Sequence, residues 1–238
     1  MSKTDDIYQQ QQKKIVDFAF DDSVVSVFPD MIRRSVPGYE TVIPVTGLIA
    51  AKHVPQGGLI FDLGCSLGAT SLAIVQCLGD KECKIVGVDN SSSMIEGAQA
   101  NLKDERCSLV CDDIQNIDVT GANVLLMNFV LQFLKPEERF NLLSDIRSKM
   151  ASDGLLIISE KIRFEDEADE RFYDAVHLDY KRANGYSELE VSQKRTALEN
   201  VMILDSMEVH EARFKEAGFS KLRLWYRCLN WVSYLVQP

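Results

Sequence analysis

Apolar and polar positions follow one another along this chain in blocks that repeat a strand-then-helix unit. Leu59-Ile60-Phe61 is an apolar run ending in Asp62, and a loop of mostly small residues, Gly64-Cys65-Ser66-Leu67-Gly68, comes next. Beyond it Leu72, Val75 and Leu78 recur three apart, the spacing of one helical face. Cys83 to Val88 predicts a second strand with Asp89 at its carboxyl end. Asn90-Ser91-Ser92-Ser93 then supplies N-cap residues for a helix over Met94 to Leu102. Ser108 to Cys111 predicts a short third strand leading into Asp112-Asp113-Ile114. Gly121-Ala122-Asn123 turns into Val124 to Met127, a continuous apolar run of the kind covered on both faces. Pro136 opens a helix over Glu137 to Met150, Asp153-Gly154 ends it, and Leu155 to Ser159 predicts the fifth strand. Such a repeat predicts an α/β, Rossmann-like, mostly parallel sheet.

Both flanks depart from the repeat. Residues 1 to 14 are polar, with Gln9 to Gln12 in one run and Lys13-Lys14 after it, and are expected to be a frayed terminus. Residues 15–53 predict a helical lid. Pro29, Pro37 and Gly38 break any long helix there, Tyr39 is placed to cap a cleft, and Thr41 to His53 is a helix. Residues 165–205 exceed an ordinary connection and predict an inserted helical cover, with Phe172, Val176 and Tyr180 at helical spacing. Ser206 to Ala217 is a helix ended by Gly218, and Lys221 to Leu235 predicts an antiparallel pair at the sheet edge.

Composition narrows the choices. At 238 residues one large domain is expected, and 46% hydrophobic content is ample for one sizeable core. A net charge of -10 argues against a large phosphate-binding face, so no direct nucleic-acid partner is expected. No run approaches a membrane span and the polar start has no signal-peptide core, so no membrane association is expected. Six cysteines scattered through predicted strands and helices read as buried thiols of a reducing cytoplasm. Cys107 and Cys111 are the closest pair, but only three histidines exist and none is near, so no metal site is expected. Cys65 has no histidine nearby to activate it; a small side chain suits a tight loop.

The glycine loop lets backbone approach a ligand, and the following helix offers unpaired N–H groups. An acid in the position of Asp89 accepts from ribose hydroxyls. A dinucleotide site needs G-x-G-x-x-G, whereas here Ser66 stands at the middle glycine. The D-x-G-x-x-x-G spacing of Asp62 to Gly68 instead resembles the S-adenosylmethionine site of class I methyltransferases. That resemblance implies their fold, a mostly parallel seven-stranded sheet with helices on both faces. It also implies a loop beneath the methionine part, and an acid after strand three on the adenine amino group, where Asp112 and Asp113 compete. Nitrogen and oxygen methyltransferases often carry an acidic or histidine motif after strand four. Here Asn128-Phe129-Val130-Leu131-Gln132-Phe133 offers no general base.

A narrower resemblance extends over almost the whole chain. Lys181 to Arg195 with Thr196 to Met202, Val27 to Tyr39, Asp62 to Gly68 and Asn128 to Leu134 closely resemble the carboxy-S-adenosyl-L-methionine synthases. The resemblance implies conversion of S-adenosyl-L-methionine and prephenate to carboxy-S-adenosyl-L-methionine and phenylpyruvate, through a sulfonium ylide that captures CO2. It implies a homodimer, with the helical insertion as interface, and a link to a downstream tRNA carboxymethyltransferase that modifies wobble uridine. It implies that Tyr39, Gly64, Cys65, Ser66, Asp89, Asn90, Asp113, Ile114, Asn128 and Arg195 bind cofactor or product, with Arg195 also the catalytic cation for the new carboxylate. Arg33 and Arg34 are candidates for prephenate's carboxylates on charge alone. Two other readings are a conventional methyltransferase of a small molecule or RNA, and a non-catalytic S-adenosylmethionine-binding subunit that activates a partner.

Overall fold

The computed structural model describes residues 3–12 and 14–238. The five apolar runs become parallel strands: β1 (Gly58–Leu63), β2 (Cys83–Asp89), β3 (Cys107–Cys111), β4 (Val124–Asn128) and β5 (Leu155–Lys161). Two antiparallel strands, β6 (Lys221–Cys228) and β7 (Trp231–Gln237), complete a seven-stranded sheet of order β3-β2-β1-β4-β5-β7-β6. Side chains alternate across it. Leu125, Met127, Leu156 and Ile158 enter one core with Leu143 and Phe214, while Val124, Leu126 and Ile157 enter the other with Ala50 and Ile74. Helices α5 (Pro136–Lys149) and α8 (Met207–Glu216) therefore cover one face, and α2 (Tyr39–His53) and α3 (Ala69–Leu78) the other. The chain order reverses at β1, which pairs with β2 on one side and β4 on the other. At such a switch point the loops leave in opposite directions and open a crevice at the strands' carboxyl ends.

Helices α1 (Asp22–Ser35), α6 (Glu167–Ala183) and α7 (Glu188–Leu198) line that crevice, and α4 (Ser92–Asn101) lies behind α1. α1 packs Val24, Val27 and Met31 against Met94 of α4. It also runs straight through Pro29, where a break was expected. The proline removes one backbone N–H, and the buried apolar stripe on the same turns keeps the helix whole.

One further expectation fails, and one holds with a different buried side. Residues 3–12 are not frayed: Asp5 is 2% exposed, its N–H donates to Asp30 Oδ2 at 2.8 Å, and Gln12 N donates to Gln193 Oε1 at 2.7 Å. Met1, Ser2 and Lys13 lie outside the described residues. Most side chains of this stretch stay exposed, and the polar composition misled because its backbone N–H groups and the Asp5 carboxylate find partners in the protein. On α6 the inward positions are His177 and Lys181, one turn apart, while Phe172 is 61% exposed. The spacing of Phe172, Val176 and Tyr180 predicts the helix correctly, but Val176 and Tyr180 are only half-buried.

Candidate active site

Local rules build the first half of the site. Gly64 has φ +75°, and a Cβ there would lie 2.5 Å from Val130 Cγ2, so only glycine lets the loop pass under the crevice. Ser66 also sits in the left-handed region, at φ 50°. Its N–H donates to Asp89 Oδ2 at 2.8 Å, while Ser91 N donates to Asp89 Oδ1 at 3.0 Å. Asp89 thus fixes the β1–α3 loop and the start of α4 together, and each oxygen keeps a lone pair for a hydroxyl donor. Asp62 accepts from Ser71 N at 3.1 Å and Ser71 Oγ at 2.7 Å, tying the loop to α3. Burial pushes its carboxyl up to about 6.

The crevice is a cavity of about 640 Å³, within the range of small-molecule sites. Tyr39, Gly64, Cys65, Ser66, Asp89, Asn90, Asp113, Ile114 and Asn128 all line it. Asp113, not Asp112, is on the wall; Asp112 is turned into its own loop, accepting from Asn116 Nδ2 at 2.8 Å. Asn128 is held at both ends of its amide, donating to Thr70 Oγ1 at 3.2 Å and accepting from Ser159 Oγ at 2.8 Å. Arg195 is the exception. It is 62% exposed on α7 and pairs with Asp174 at 3.0 Å, off the cavity wall.

The second half of the cavity was not read from the sequence. Tyr39, Phe129, Trp231 and His177 form a chain of aromatic contacts, with ring centroids 6.3, 5.2 and 5.9 Å apart in turn. Phe129 holds φ 65° because Glu160 organises the next turn of the chain: its carboxylate accepts from the N–H groups of Val130, Leu131 and Gln132. Lys161, Lys181 and Lys194, exposed by 9%, 7% and 4%, also line the cavity. Arg33 reaches its rim, while Arg34 is engaged elsewhere, donating to Asn184 O at 2.7 Å and stacking on Tyr186. The one available signal was His177 and Lys181 at i and i+4, which put both on one helical face.

Three titratable groups on the cavity wall, Tyr39, Cys65 and His177, are poor proton acceptors. Burial, then Asp62, pushes the Tyr39 hydroxyl well up, and burial raises the Cys65 thiol likewise. Burial, reinforced by Lys161 and Lys181, holds the His177 ring well below its ordinary range. Its Nε2 meets Ser35 O at 2.8 Å, which assigns the proton to that nitrogen.

A glycine loop under the crevice, an acid on each of two neighbouring strand ends and this sheet order define an S-adenosylmethionine-binding enzyme of the class I methyltransferase fold. Residues 60–154 match the family described as a methyltransferase domain. Human N-acetylserotonin methyltransferase, solved with S-adenosylmethionine, superposes with a TM-score of 0.62 at 16% identity, covering 91% of this chain and 55% of that one. This chain thus spans little more than half of the human enzyme's length, and the likeness is one of fold. Nearer relatives settle the family. The carboxy-S-adenosyl-L-methionine synthase of Geobacter sp. strain M21 is 47% identical over 236 residues, 97% of each chain. That of Shewanella denitrificans is also 47% identical, over 98% of this chain and 97% of its own. The chain belongs to the carboxy-S-adenosyl-L-methionine synthases: S-adenosyl-L-methionine is its substrate and carboxy-S-adenosyl-L-methionine its product.

Proposed function

We propose that the carboxyl group comes from prephenate, which leaves as phenylpyruvate. The observation that carries this reading is that the cavity-lining groups Asn128, Tyr39, Cys65 and His177 offer no competent base. Asn128 is neutral and bonded at both ends, and Tyr39, Cys65 and His177 are all uncharged near neutral pH. The base therefore arrives with the co-substrate. Cleavage of the ring carboxyl of prephenate releases CO2, and its electron pair aromatises the ring and expels the ring hydroxide. The hydroxide takes one proton from the S-methyl group and becomes water. The resulting ylide carbon bonds the CO2 carbon. Atoms and charge balance without an oxidant or a protein base. The chain's share is to align two ligands and to keep out bulk water, which would quench the ylide.

On this reading Asp89 holds the ribose, Asp113 and Ile114 the adenine, and Gly64 to Ser66 with Asn128 the methionine part. Arg195 supplies the cation for the new carboxylate by exchanging Asp174 for it. Its charge already acts on Lys161 and Lys181 at the cavity wall. A homodimer would bury the exposed Phe172 and Leu189 of the insertion. The product then supplies a carboxymethyl donor to a separate tRNA-modifying enzyme acting on wobble uridine. An acidic chain fits a maker of that donor better than a holder of the RNA. Six free cysteines suit a reducing cytoplasm.

The test is mass spectrometry of the nucleoside after the purified protein is incubated with S-adenosylmethionine, with and without prephenate. A species heavier by one CO2, increasing only with prephenate and matched by phenylpyruvate, is expected. Prephenate left unconsumed, or S-adenosylhomocysteine as the only new nucleoside, contradicts the proposal.

A further inference from the structure

Three lysines line the far end of the cavity, and they are treated differently. Lys194 is neutralised inside the protein: its Nζ lies 3.3 Å from Asp5 Oδ2, 3.0 Å from Ser35 Oγ and 3.3 Å from Tyr186 Oη. Asp5 is brought there by the N-terminal segment, and Tyr186 donates to the same carboxylate oxygen. Lys161 and Lys181 are buried almost as deeply, yet among the described residues no hydrogen bond or ion pair engages either Nζ. Asp174 acts on both from a distance, Glu170 on Lys161 as well, and Arg195 opposes them. An ammonium removed from water without a counter-charge is strongly unfavourable, so a protein that keeps two of them on a cavity wall is built to receive an anion.

We propose that Lys161 and Lys181 form the carboxylate-binding subsite for the co-substrate. This deepens the prephenate reading and rests on it. Two placements support it. Lys161 ends β5 directly opposite Trp231 of β7, and it shares a sheet face with Ser159, which holds Asn128. Lys181 reaches the cavity from α6, one turn after His177, whose bond to Ser35 fixes α6 against α1. The pair is therefore carried by β5 and α6, elements separate from the β1–α3 loop and the ends of β2 and β3. The competing anion is the α-carboxylate of S-adenosylmethionine. That end carries an ammonium as well and has no net charge, whereas prephenate brings two carboxylates to two ammoniums. Burial, then Lys161 and Lys194, pushes Lys181 down to about 7, so an arriving carboxylate also restores its proton.

The experiment compares wild type with Lys161→Met and Lys181→Met. It measures the KM for prephenate in carboxy-S-adenosylmethionine formation and, separately, the Kd of S-adenosylmethionine by calorimetry. Each substitution is expected to raise the prephenate KM at least tenfold and to change the S-adenosylmethionine Kd by less than threefold, with Lys181→Arg recovering part of the loss. Equal losses for both ligands would place the methionine carboxylate on the lysines and overturn the assignment. An unchanged KM in variants of an active enzyme overturns it as well. If wild type neither binds nor consumes prephenate, the co-substrate reading itself fails, and the assignment falls with it. Should a variant not fold, wild type alone supplies a test with phenylpyruvate against phenylacetone, which lacks the carboxylate. At least tenfold tighter binding of the acid is expected, and equal binding refutes the subsite.

Discussion

The two ends of the cavity hold charge in opposite ways. At the end proposed for the adenosine the anion belongs to the protein, and Asp89 arrives already loaded with the N–H groups of Ser66 and Ser91. At the far end the cations belong to the protein, and among the described residues no hydrogen bond or ion pair engages the side-chain nitrogen of Lys161 or Lys181. The first arrangement is rigid and complete before any ligand binds, which suits a substrate part that is held and not changed. On the proposed reading, the second suits a co-substrate whose carboxylates complete it.

The contrast breaks most visibly at Asp89. Asp89→Ala removes the ribose acceptor and frees two N–H groups, so calorimetry should show S-adenosylmethionine affinity falling by roughly 100-fold, given ~1.5–3 kcal/mol for each hydrogen bond to a charged group. Arg195→Ala should weaken retention of carboxy-S-adenosylmethionine by more than about tenfold, from loss of a charge-assisted pair. S-adenosylmethionine, lacking the new carboxylate, should change by less than about threefold. Equal loss for both would leave Arg195 as a rim charge.

Lys181→Met sharpens the comparison through stability. The folded-state value of Lys181, about 7, lies below its unfolded value of 10.5. Below pH 7 the ammonium is charged in both states and the burial penalty is complete. Between pH 7 and 10.5 the unfolded chain binds more protons, so wild-type stability gains from this group as pH rises. The methionine variant should therefore unfold at higher denaturant than wild type at pH 6, by roughly 1–3 kcal/mol, and the advantage should shrink towards pH 10. A constant difference across that range would show that Lys181 is not buried as an ammonium. The smallest effect separates the neighbouring acids: Asp113→Asn should cost about 1 kcal/mol of S-adenosylmethionine affinity, and Asp112→Asn almost none.

The same two ends differ in how far the sequence reveals them. The adenosine end is made by short-range rules. An apolar run, a glycine at φ +75° and an acid at the next strand's end lie within about thirty residues, and each leaves a local mark. The far end is assembled from α1, β5, α6, α7 and β7, and its signals are masked by neighbours. Lys161 sits among Glu160, Arg163 and Glu165, and Lys181 among Asp179 and Arg182, where a charge looks solvated. Asp5 lies in a polar stretch that gave no hint of burial, although a buried lysine elsewhere required it. Glu160 escaped notice for the same reason, and only the fold shows its carboxylate capping the turn after Asn128. Arg195 was conspicuous through resemblance alone, and the fold places its guanidinium on Asp174.

The most direct test of the account asks whether the transferred carbon ever leaves the cavity. Prephenate labelled with carbon-13 in its ring carboxyl is turned over with S-adenosylmethionine in buffer containing excess unlabelled bicarbonate, and the product is weighed by mass spectrometry. Near-complete label in carboxy-S-adenosylmethionine is predicted on the proposed reading, in which one cavity holds both ligands while CO2 is released and captured. Product carrying the isotope ratio of the bicarbonate would show that the carbon comes from solution, and would contradict it.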